Sequence, residues 1–295
     1  MNRQRSKILF SEGKHHKPLV LDGASGTYLA QKGFLAHPYL WYSHLNLDDP
    51  KSVKNMHSEY INAGAGIITT NTFRTNPAAF KKSNIGVTNY ELVNRSVKIS
   101  VEAIGEKNII IAGSNAPAED CYQTNRTISL FELEYNHKKH IEMLWNAGSD
   151  FILNETQSHW DEIEIICKFC SENNLPYVVS LYFNENLKIL SGEELGEIIN
   201  FVISYNPLAI SFNCVSHQTI RKFLVQKKIE FPTGFYLNCG LSLVAENMIS
   251  YCMEPETYAE TVRNIIGPDT VFIGSCCGSS PLHTAKLKEL IGELY

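Results

Sequence analysis

Three cysteines have the types and spacing expected of a soft-metal site. Cys276 and Cys277 are adjacent, and Gly274 and Gly278 flank the pair closely enough to permit a sharp backbone turn. Neighbouring thiols do not easily form a disulfide with each other, but both can bind one metal ion at such a turn. Cys214 ends an earlier apolar run, and three protein ligands with an open fourth position are typical of a catalytic zinc. Because an all-sulfur ligand set selects soft or borderline metals, the sequence predicts Zn²⁺ at Cys214, Cys276 and Cys277.

A simpler interpretation is that these cysteines are unrelated thiols of the core, which applies most readily to Cys214. Cys239, in the segment LNCGLS, also ends an apolar run and is a rival ligand. Cys167 and Cys170 form a CxxC pair inside a helical pattern. A redox CxxC is expected at the N-terminus of a helix that follows a strand, so core packing explains this pair better.

Eight short apolar runs alternate with amphipathic segments along the chain. Each run is continuously apolar, as expected of strands buried on both faces of a parallel sheet. The predicted strands are 18–23, 65–73, 108–116, 150–156, 176–183, 208–214, 233–240 and 270–278. The predicted helices are 51–63, 90–104, 129–147, 159–173, 191–205, 219–228, 255–266 and 281–294. An eightfold strand–helix alternation favours a single (β/α)8 barrel over an open doubly wound sheet.

Length and composition are consistent with one large domain of 295 residues, 44% of them hydrophobic. No linker divides the chain, so we expect a lead-in at 1–17 and a barrel domain at 18–295. The net charge of −5 provides no positive field for nucleic acid or an anionic membrane. The N-terminus lacks the apolar stretch of a signal peptide, and no apolar run is long enough to span a bilayer. These features predict a cytoplasmic protein, a monomer or small homo-oligomer, whose partners are small molecules.

Polar side chains follow almost every predicted strand. In a barrel all carboxyl ends of the strands open on one face, which carries the active site. The residues in these positions are Asp22, Asn71, Asn115, Glu155, Cys214, Asn238 and the Cys276–Cys277 pair. Helix N-caps account for part of this set, and ordinary loop carboxylates are the alternative for Asp22 and Glu155. The pattern nevertheless predicts a shared polar site at that rim.

Six motifs resemble those of the homocysteine S-methyltransferase family, over about residues 18–292. They are LDGASGTYL (21–29), TTNTF (69–73), AGSNAP (112–117), NET (154–156), FNC (212–214) and GSCCGSSPLH (274–283). The paired cysteines with an upstream cysteine are the most specific of these motifs. The order and spacing of all six indicate the family more strongly than any single motif does. The family includes betaine– and S-methylmethionine–homocysteine methyltransferases and the homocysteine-binding module of cobalamin-dependent methionine synthase. The resemblance implies a zinc-dependent enzyme that methylates the thiol of homocysteine to give methionine.

The resemblance also assigns residues to roles. It implies that Cys214, Cys276 and Cys277 bind zinc, and that Asp22 and Glu155 hold the ammonium group of homocysteine. Asn238, at the end of the seventh run, is a further substrate-binding candidate. Zinc coordination turns a thiol into a thiolate, which attacks the methyl carbon of a donor with positive charge on sulfur or nitrogen. Because that donor leaves as a neutral molecule, the reaction needs no general acid.

The methyl donor is the least determined part of the prediction. The betaine branch carries an aromatic residue where Thr156 follows Glu155, so S-methylmethionine or S-adenosylmethionine is favoured. The family usually has a Gly-Glu pair after the seventh strand, where this chain has Gly240 and Leu241. Aromatic residues at the rim could attract the donor cation, with ordinary packing as the alternative. The candidates are Trp41, Tyr42, Phe73, Tyr122, Tyr182 and Phe183.

Two other function classes fit the same barrel. A metal-dependent lyase or hydrolase would need a base beside a metal-bound water. His217 is the nearest histidine to a strand end, and it could equally cap the next helix. A non-catalytic binding protein is the other alternative, supported by the altered NCGLS segment at 238–242.

Overall fold

The computed structural model describes residues 17–240 and 252–295, and its centre is a closed barrel of eight parallel strands. The strands are β1 (Leu19–Val20), β2 (Ile67–Thr69), β3 (Ile110–Asn115), β4 (Phe151–Gln157), β5 (Tyr177–Leu181), β6 (Ala209–Asn213), β7 (Thr233–Leu237) and β8 (Thr270–Ser275). Each strand pairs with its neighbours in chain order, and β8 pairs with β1. A parallel bridge from Leu21 to Ile67 closes the remaining gap between β1 and β2. The predicted (β/α)8 barrel is therefore confirmed.

Eleven helices surround the described strands or lie in the loops between them. They are α1 (Ser25–Gln31), α2 (Leu45–Asp48), α3 (Pro50–Asn62), α4 (Pro77–Ser83), α5 (Asn89–Ile104), α6 (Leu130–Ala147), α7 (Trp160–Glu172), α8 (Leu195–Ser204), α9 (His217–Gln226), α10 (Pro255–Arg263) and α11 (Pro281–Leu294). The eight predicted helices are present, although α8 begins four residues later than predicted. Helices α1, α2 and α4 were not predicted, because helices of four to seven residues contain too few turns to show apolar periodicity.

Local sequence explains where the longer helices begin. The hydroxyls of Thr88 and Ser129 cap α5 and α6, and a glutamate three residues later completes a capping box in each case. Proline occupies the first turn of α3, α4, α10 and α11, where no hydrogen-bond donor is needed. Helix α6 ends at Gly148 with a φ of 112°, as the sequence predicted.

Two layers of apolar side chains form most of the core. One layer packs the helices against the outside of the barrel, and it includes both Cys167 and Cys170, which are fully buried on α7. The other fills the barrel interior with Leu21, Ile67, Ile110, Ala112, Phe151, Leu153, Val178, Ala209, Tyr236 and Phe272. Cys214, Cys276 and Cys277 lie at the top of this interior cluster. The barrel core therefore forms the floor beneath the three thiols.

Two regions lie outside the described residues: 1–16, which is nearly all of the predicted lead-in, and 241–251, which includes Leu241 of the altered segment. Within the described ranges, no helix combines the length and hydropathy needed to cross a membrane.

Candidate functional site

Three thiols meet at the carboxyl ends of β6 and β8. The Sγ of Cys277 lies 4.0 Å from the Sγ of Cys214 and 3.9 Å from the Sγ of Cys276. Cys214 and Cys276 are in disulfide contact, and their Cα atoms are 5.7 Å apart. All three sulfur atoms lie within 4.8 Å of one another. The structure thus brings together the three cysteines that the sequence grouped.

The donor set fits a zinc ion. With Zn–S bonds of about 2.3 Å, the edge of a tetrahedral site is about 3.8 Å between sulfur atoms. The two distances to the Sγ of Cys277 are already close to that edge. Reduced Cys214 and Cys276 need only a side-chain rotation to separate, since their Cα atoms are 5.7 Å apart. The three thiols can therefore surround one metal and leave a fourth position open.

The turn after β8 depends on glycine and on helix α1. Gly278 has a φ of 87°, in the region that favours glycine. A Cβ on Gly274 would lie 2.9 Å from the Cβ of Leu21, so no other residue fits there without a shift. The backbone N–H of Gly278 donates to Thr27 Oγ1 at 3.0 Å, and Gln31 Nε2 donates to the Gly278 carbonyl at 3.1 Å. Helix α1 therefore fixes the position of the paired cysteines.

Asn213 holds Cys214 in an unusual conformation. Cys214 has a φ of 55°, a left-handed value that costs a non-glycine residue about 1–3 kcal/mol and is common at functional sites. Asn213 Nδ2 donates to Thr156 Oγ1 at 2.8 Å and lies 3.5 Å from Cys214 Sγ. Its Oδ1 accepts from the Thr156 N–H at 2.8 Å and from Ser180 Oγ at 2.7 Å. Sequence reasoning missed this role, and the FNC motif was the signal that could have indicated it.

Asp22 and Glu155 place two carboxyl groups in the same site. Asp22 is buried, and its carboxylate accepts hydrogen bonds from the Thr69 N–H at 2.9 Å and Thr69 Oγ1 at 3.1 Å. Glu155 accepts a hydrogen bond from Ser114 Oγ. Burial raises the pKa of Asp22 well above its usual range, and the nearby Glu155 raises it further.

Burial also raises the pKa of Glu155 to about 7, although its hydrogen-bond partners lower it. No described Lys, Arg or His side chain forms an ion pair with either carboxylate. Burying two carboxyl groups without a cation is costly, so the pair is suited to a ligand that brings positive charge.

These groups share one cavity of about 850 Å³ at the carboxyl end of the barrel. Its wall includes Asp22, Glu155, the three clustered cysteines, and the aromatic residues Trp41, Tyr42, Phe73 and Tyr122. Trp41 packs edge-on against Phe73 with ring centroids 5.6 Å apart. Tyr182 packs edge-on against Tyr122, with the ring centroids 5.1 Å apart. The cavity is large enough for two small molecules side by side.

Phe183 does not lie at this cavity, contrary to the expectation that it could contact a donor. It is 1% exposed and packs between Phe212 and Phe223 in the layer outside the barrel. Successive side chains of an extended segment point to opposite faces, so Tyr182 and Phe183 cannot both face the rim.

Three further candidates lie outside the cavity wall. Asn238 Oδ1 accepts from the Gly240 N–H at 3.0 Å, and Asn238 is not part of the cavity wall; its role in substrate binding stays a prediction. Cys239, the rival ligand, contacts Cys252 and His283 and is not one of the three clustered thiols. His217 lies in the first turn of α9, outside the cavity wall.

Comparison with known proteins agrees with the six motifs. The sequence model of the family described as homocysteine S-methyltransferase matches residues 19–291. Homocysteine S-methyltransferase YbgG of Bacillus subtilis (strain 168) is 25% identical over 288 residues, which cover 89% of this chain and 91% of that protein. The homocysteine S-methyltransferase of Escherichia coli (strain K12) is 22% identical over 294 residues, covering 92% of this chain and 94% of that protein.

The fold has solved counterparts. The metallated form of the homocysteine methyltransferase MmuM from Escherichia coli superposes with a TM-score of 0.80, covers 98% of this chain and 99% of its own, and is 21% identical. The oxidized form of the same enzyme gives a TM-score of 0.78 at 22% identity, with the same two shares. The family match spans nearly the whole barrel and includes all three clustered cysteines. The chain therefore belongs to the homocysteine S-methyltransferase family.

Proposed function

We propose that this protein transfers a methyl group from a cationic donor to the thiol of L-homocysteine, giving methionine, with Zn²⁺ bound by Cys214, Cys276 and Cys277. The observation that carries this proposal is the arrangement of the cavity. Three thiols that fit one metal lie in the same cavity wall as two carboxyl groups without a described cationic partner. A substrate with both a thiol and an ammonium group would match these two sets of protein groups.

A bound metal would favour thiolates at this site, which burial disfavours. Burial raises the pKa of Cys277 to about 11. When bound, Zn²⁺ supplies the charge that holds the homocysteine sulfur as a thiolate at neutral pH. The chain fixes the ligand geometry through Asn213, beside Cys214, and through α1, which holds the turn after β8.

Asp22 and Glu155 bind the ammonium group of homocysteine in this proposal. An ammonium group donates three hydrogen bonds, and a charged donor contributes about 1.5–3 kcal/mol per bond. Thr69 and Ser114 hold the two carboxylates in place, so little side-chain freedom is lost when the substrate binds. Holding the amino acid at one end and its sulfur at the other aligns the nucleophile with the donor.

The donor cation would bind at the aromatic part of the cavity. The rings of Trp41 and Tyr122 offer cation–π attraction to a sulfonium or ammonium group, whereas the Arg74 guanidinium already lies over the Phe73 ring, 5.6 Å from its centroid. Thr156 is extensively hydrogen-bonded to Asn213 and offers no aromatic face beside Glu155. We therefore favour S-methylmethionine or S-adenosylmethionine over betaine. Since the donor leaves as a neutral molecule, no protein acid is required.

One experiment separates this proposal from the alternatives. Reduced, zinc-loaded protein is incubated with homocysteine and, separately, with betaine, S-methylmethionine or S-adenosylmethionine, and methionine is measured. We expect methionine from at least one sulfonium donor, and none from metal-free protein. Zinc-loaded protein that binds homocysteine but forms no methionine with any donor would instead indicate a non-catalytic binding protein. A metal-dependent lyase or hydrolase finds no support at His217, which is outside the cavity wall.

A further inference from the structure

A second group of metal-binding side chains lies outside the cavity wall. Cys239 follows β7, Cys252 precedes α10, and His283 lies in the first turn of α11. The Nε2 atom of His283 is 3.1 Å from the Sγ of Cys239 and 3.4 Å from the Sγ of Cys252. All three ligand atoms lie within 4.8 Å of one another. None of these residues belongs to the wall of the substrate cavity.

The N-terminus of α11 fixes the imidazole of His283 beside the two sulfur atoms. The backbone N–H of Ser280 donates to His283 Nδ1 at 3.2 Å in the capping box of α11, and Ser280 Oγ lies 3.3 Å from the same nitrogen. In the metal-free protein Nε2 carries the ring proton and donates it to the Met253 carbonyl at 2.8 Å, so a metal bound at Nε2 would replace that proton. Metal-binding histidines usually donate their other ring N–H, so the ring proton of His283 would move to Nδ1, where Ser280 Oγ can accept it. The helix cap thus directs the ring at Cys239 and Cys252.

A fourth donor atom faces the same point. The carbonyl oxygen of Met253 lies 2.8 Å from His283 Nε2, 3.6 Å from Cys239 Sγ and 3.5 Å from Cys252 Sγ. In a tetrahedral zinc site with Zn–S of about 2.3 Å and Zn–N of about 2.0–2.1 Å, sulfur and nitrogen are about 3.6 Å apart. The observed sulfur–nitrogen distances need to open by only a few tenths of an ångström.

We infer that Cys239, Cys252 and His283 form a second zinc site, with the Met253 carbonyl or a water molecule completing the coordination. Two thiols and one imidazole are a ligand set that suits zinc. The two cysteines are also in disulfide contact, with Cα atoms 5.1 Å apart, a spacing that a metal or a disulfide can occupy. Cys239 and His283 are buried and Cys252 is half-buried, which agrees with a structural site.

The position of this site indicates what it stabilises. The Cys239 N–H donates to the carbonyl of Cys277 at 3.1 Å, and Met253 N–H donates to the carbonyl of Cys239 at 2.9 Å. Gly240 forms an antiparallel bridge with Cys252. A metal bound there would join the end of β7 and the start of α11 directly beside the turn that carries Cys276 and Cys277. It would support that turn without contacting the substrates.

Zinc content of protein purified under reducing conditions tests this inference. Wild-type protein should hold two zinc ions per chain. The Cys276→Ala, Cys277→Ala variant should hold one, and adding Cys252→Ser to that variant should leave none, while circular dichroism shows an intact fold. His283→Asn in the same background should also lose the ion, because asparagine can cap α11 but cannot reach both sulfurs. The result does not depend on methyl transfer, so it is separate from the proposed function.

Thiol counting under denaturing, non-reducing conditions distinguishes the rival state of the same residues. A zinc site leaves Cys239 and Cys252 as free thiols after the metal is chelated. Loss of two thiols that reappear only after reduction, with no zinc in the Cys276→Ala, Cys277→Ala variant, would overturn the inference in favour of a disulfide. Absence of zinc from that folded variant with all its thiols free would overturn it as well.

Discussion

Asn213 Nδ2 lies 3.5 Å from Cys214 Sγ and donates to Thr156 Oγ1 at 2.8 Å. The amide therefore links the sixth strand to the fourth and orients a predicted metal ligand at the same time. Both Thr156 and Cys214 have positive φ values, 58° and 55°, so Asn213 contacts two strained residues, one on β4 and one directly after β6.

We predict that Asn213→Ala weakens zinc binding about 10- to 100-fold, because loss of a group that orients a metal ligand usually has an effect of this size. It should also lower the free energy of unfolding by about 1–3 kcal/mol, since it leaves buried partners without hydrogen bonds. Competition with a chelator of known affinity measures the first effect, and urea unfolding of metal-free protein measures the second.

Asn154 provides the matched control for that prediction. It is a buried amide on β4 whose Nδ2 donates to the Val178 carbonyl at 3.1 Å and whose Oδ1 accepts from Asn115 at 2.8 Å, without contact to a sulfur atom. Asn154→Ala should reduce stability to a similar extent and leave zinc affinity unchanged. Equal losses of zinc affinity in both variants would mean that Asn213 acts only through the stability of the barrel.

The three-thiol site makes a prediction of its own. Replacing Cys276 and Cys277 together by alanine should remove one zinc ion per chain and nearly all methyl transfer, because a single remaining thiolate cannot retain the metal. Cys121→Ser is the control, since Cys121 is a buried free thiol in the same cavity wall but outside the metal-binding groups. Unchanged zinc content in the double variant would remove the basis of the proposed function.

The barrel could be predicted because its strands are buried on both faces and appear as eight continuous apolar runs. The role of Cys276 and Cys277 as two ligands of one metal could be predicted, because adjacent residues lie in the same turn. The support of that turn could not, since the contact between Gly278 and Thr27 joins residues 251 positions apart. The contact between Asn213 and Thr156 spans 57 positions and depends on strand register. The expectation that Phe183 lies at the rim was wrong, because an apolar run does not reveal which of its last side chains faces the cavity.

Glu155 should act on homocysteine and not on the methyl donor. Glu155→Gln keeps the shape of the side chain but removes its charge, so homocysteine binding should weaken about 10- to 100-fold through loss of a charged hydrogen bond. Isothermal titration of zinc-loaded protein with homocysteine measures this, after zinc content has been checked. Glu119→Gln is the control, because Glu119 also lines the cavity but its carboxylate is hydrogen-bonded to the Thr127 N–H at 2.7 Å. Parent-like affinity in metallated Glu155→Gln would show that Glu155 is a structural carboxylate.

The pH dependence of stability gives the last prediction. In ligand-free protein burial raises the pKa of Glu155 from its ordinary value of 4.5 to about 7. The folded state then retains a proton that the unfolded chain has lost, so this group destabilises the protein as pH rises from about 4.5 to 7. Glu155→Gln cannot titrate, and its stability relative to the parent should increase by about 2–3 kcal/mol between pH 5 and pH 8.

Urea unfolding of metal-free, reduced protein at four pH values between 5 and 8 measures this difference. Glu119→Gln is the control and should show almost no trend over this range. Although burial raises the pKa of Glu119, hydrogen bonds from Thr127 bring it below the ordinary value of 4.5, so the stability that this group contributes is fully present from pH 5 to pH 8 and is lost only at lower pH. If the difference between Glu155→Gln and the parent stays constant across this range, Glu155 carries its charge in the ligand-free site. The substrate ammonium would then not be needed to offset the cost of burying it.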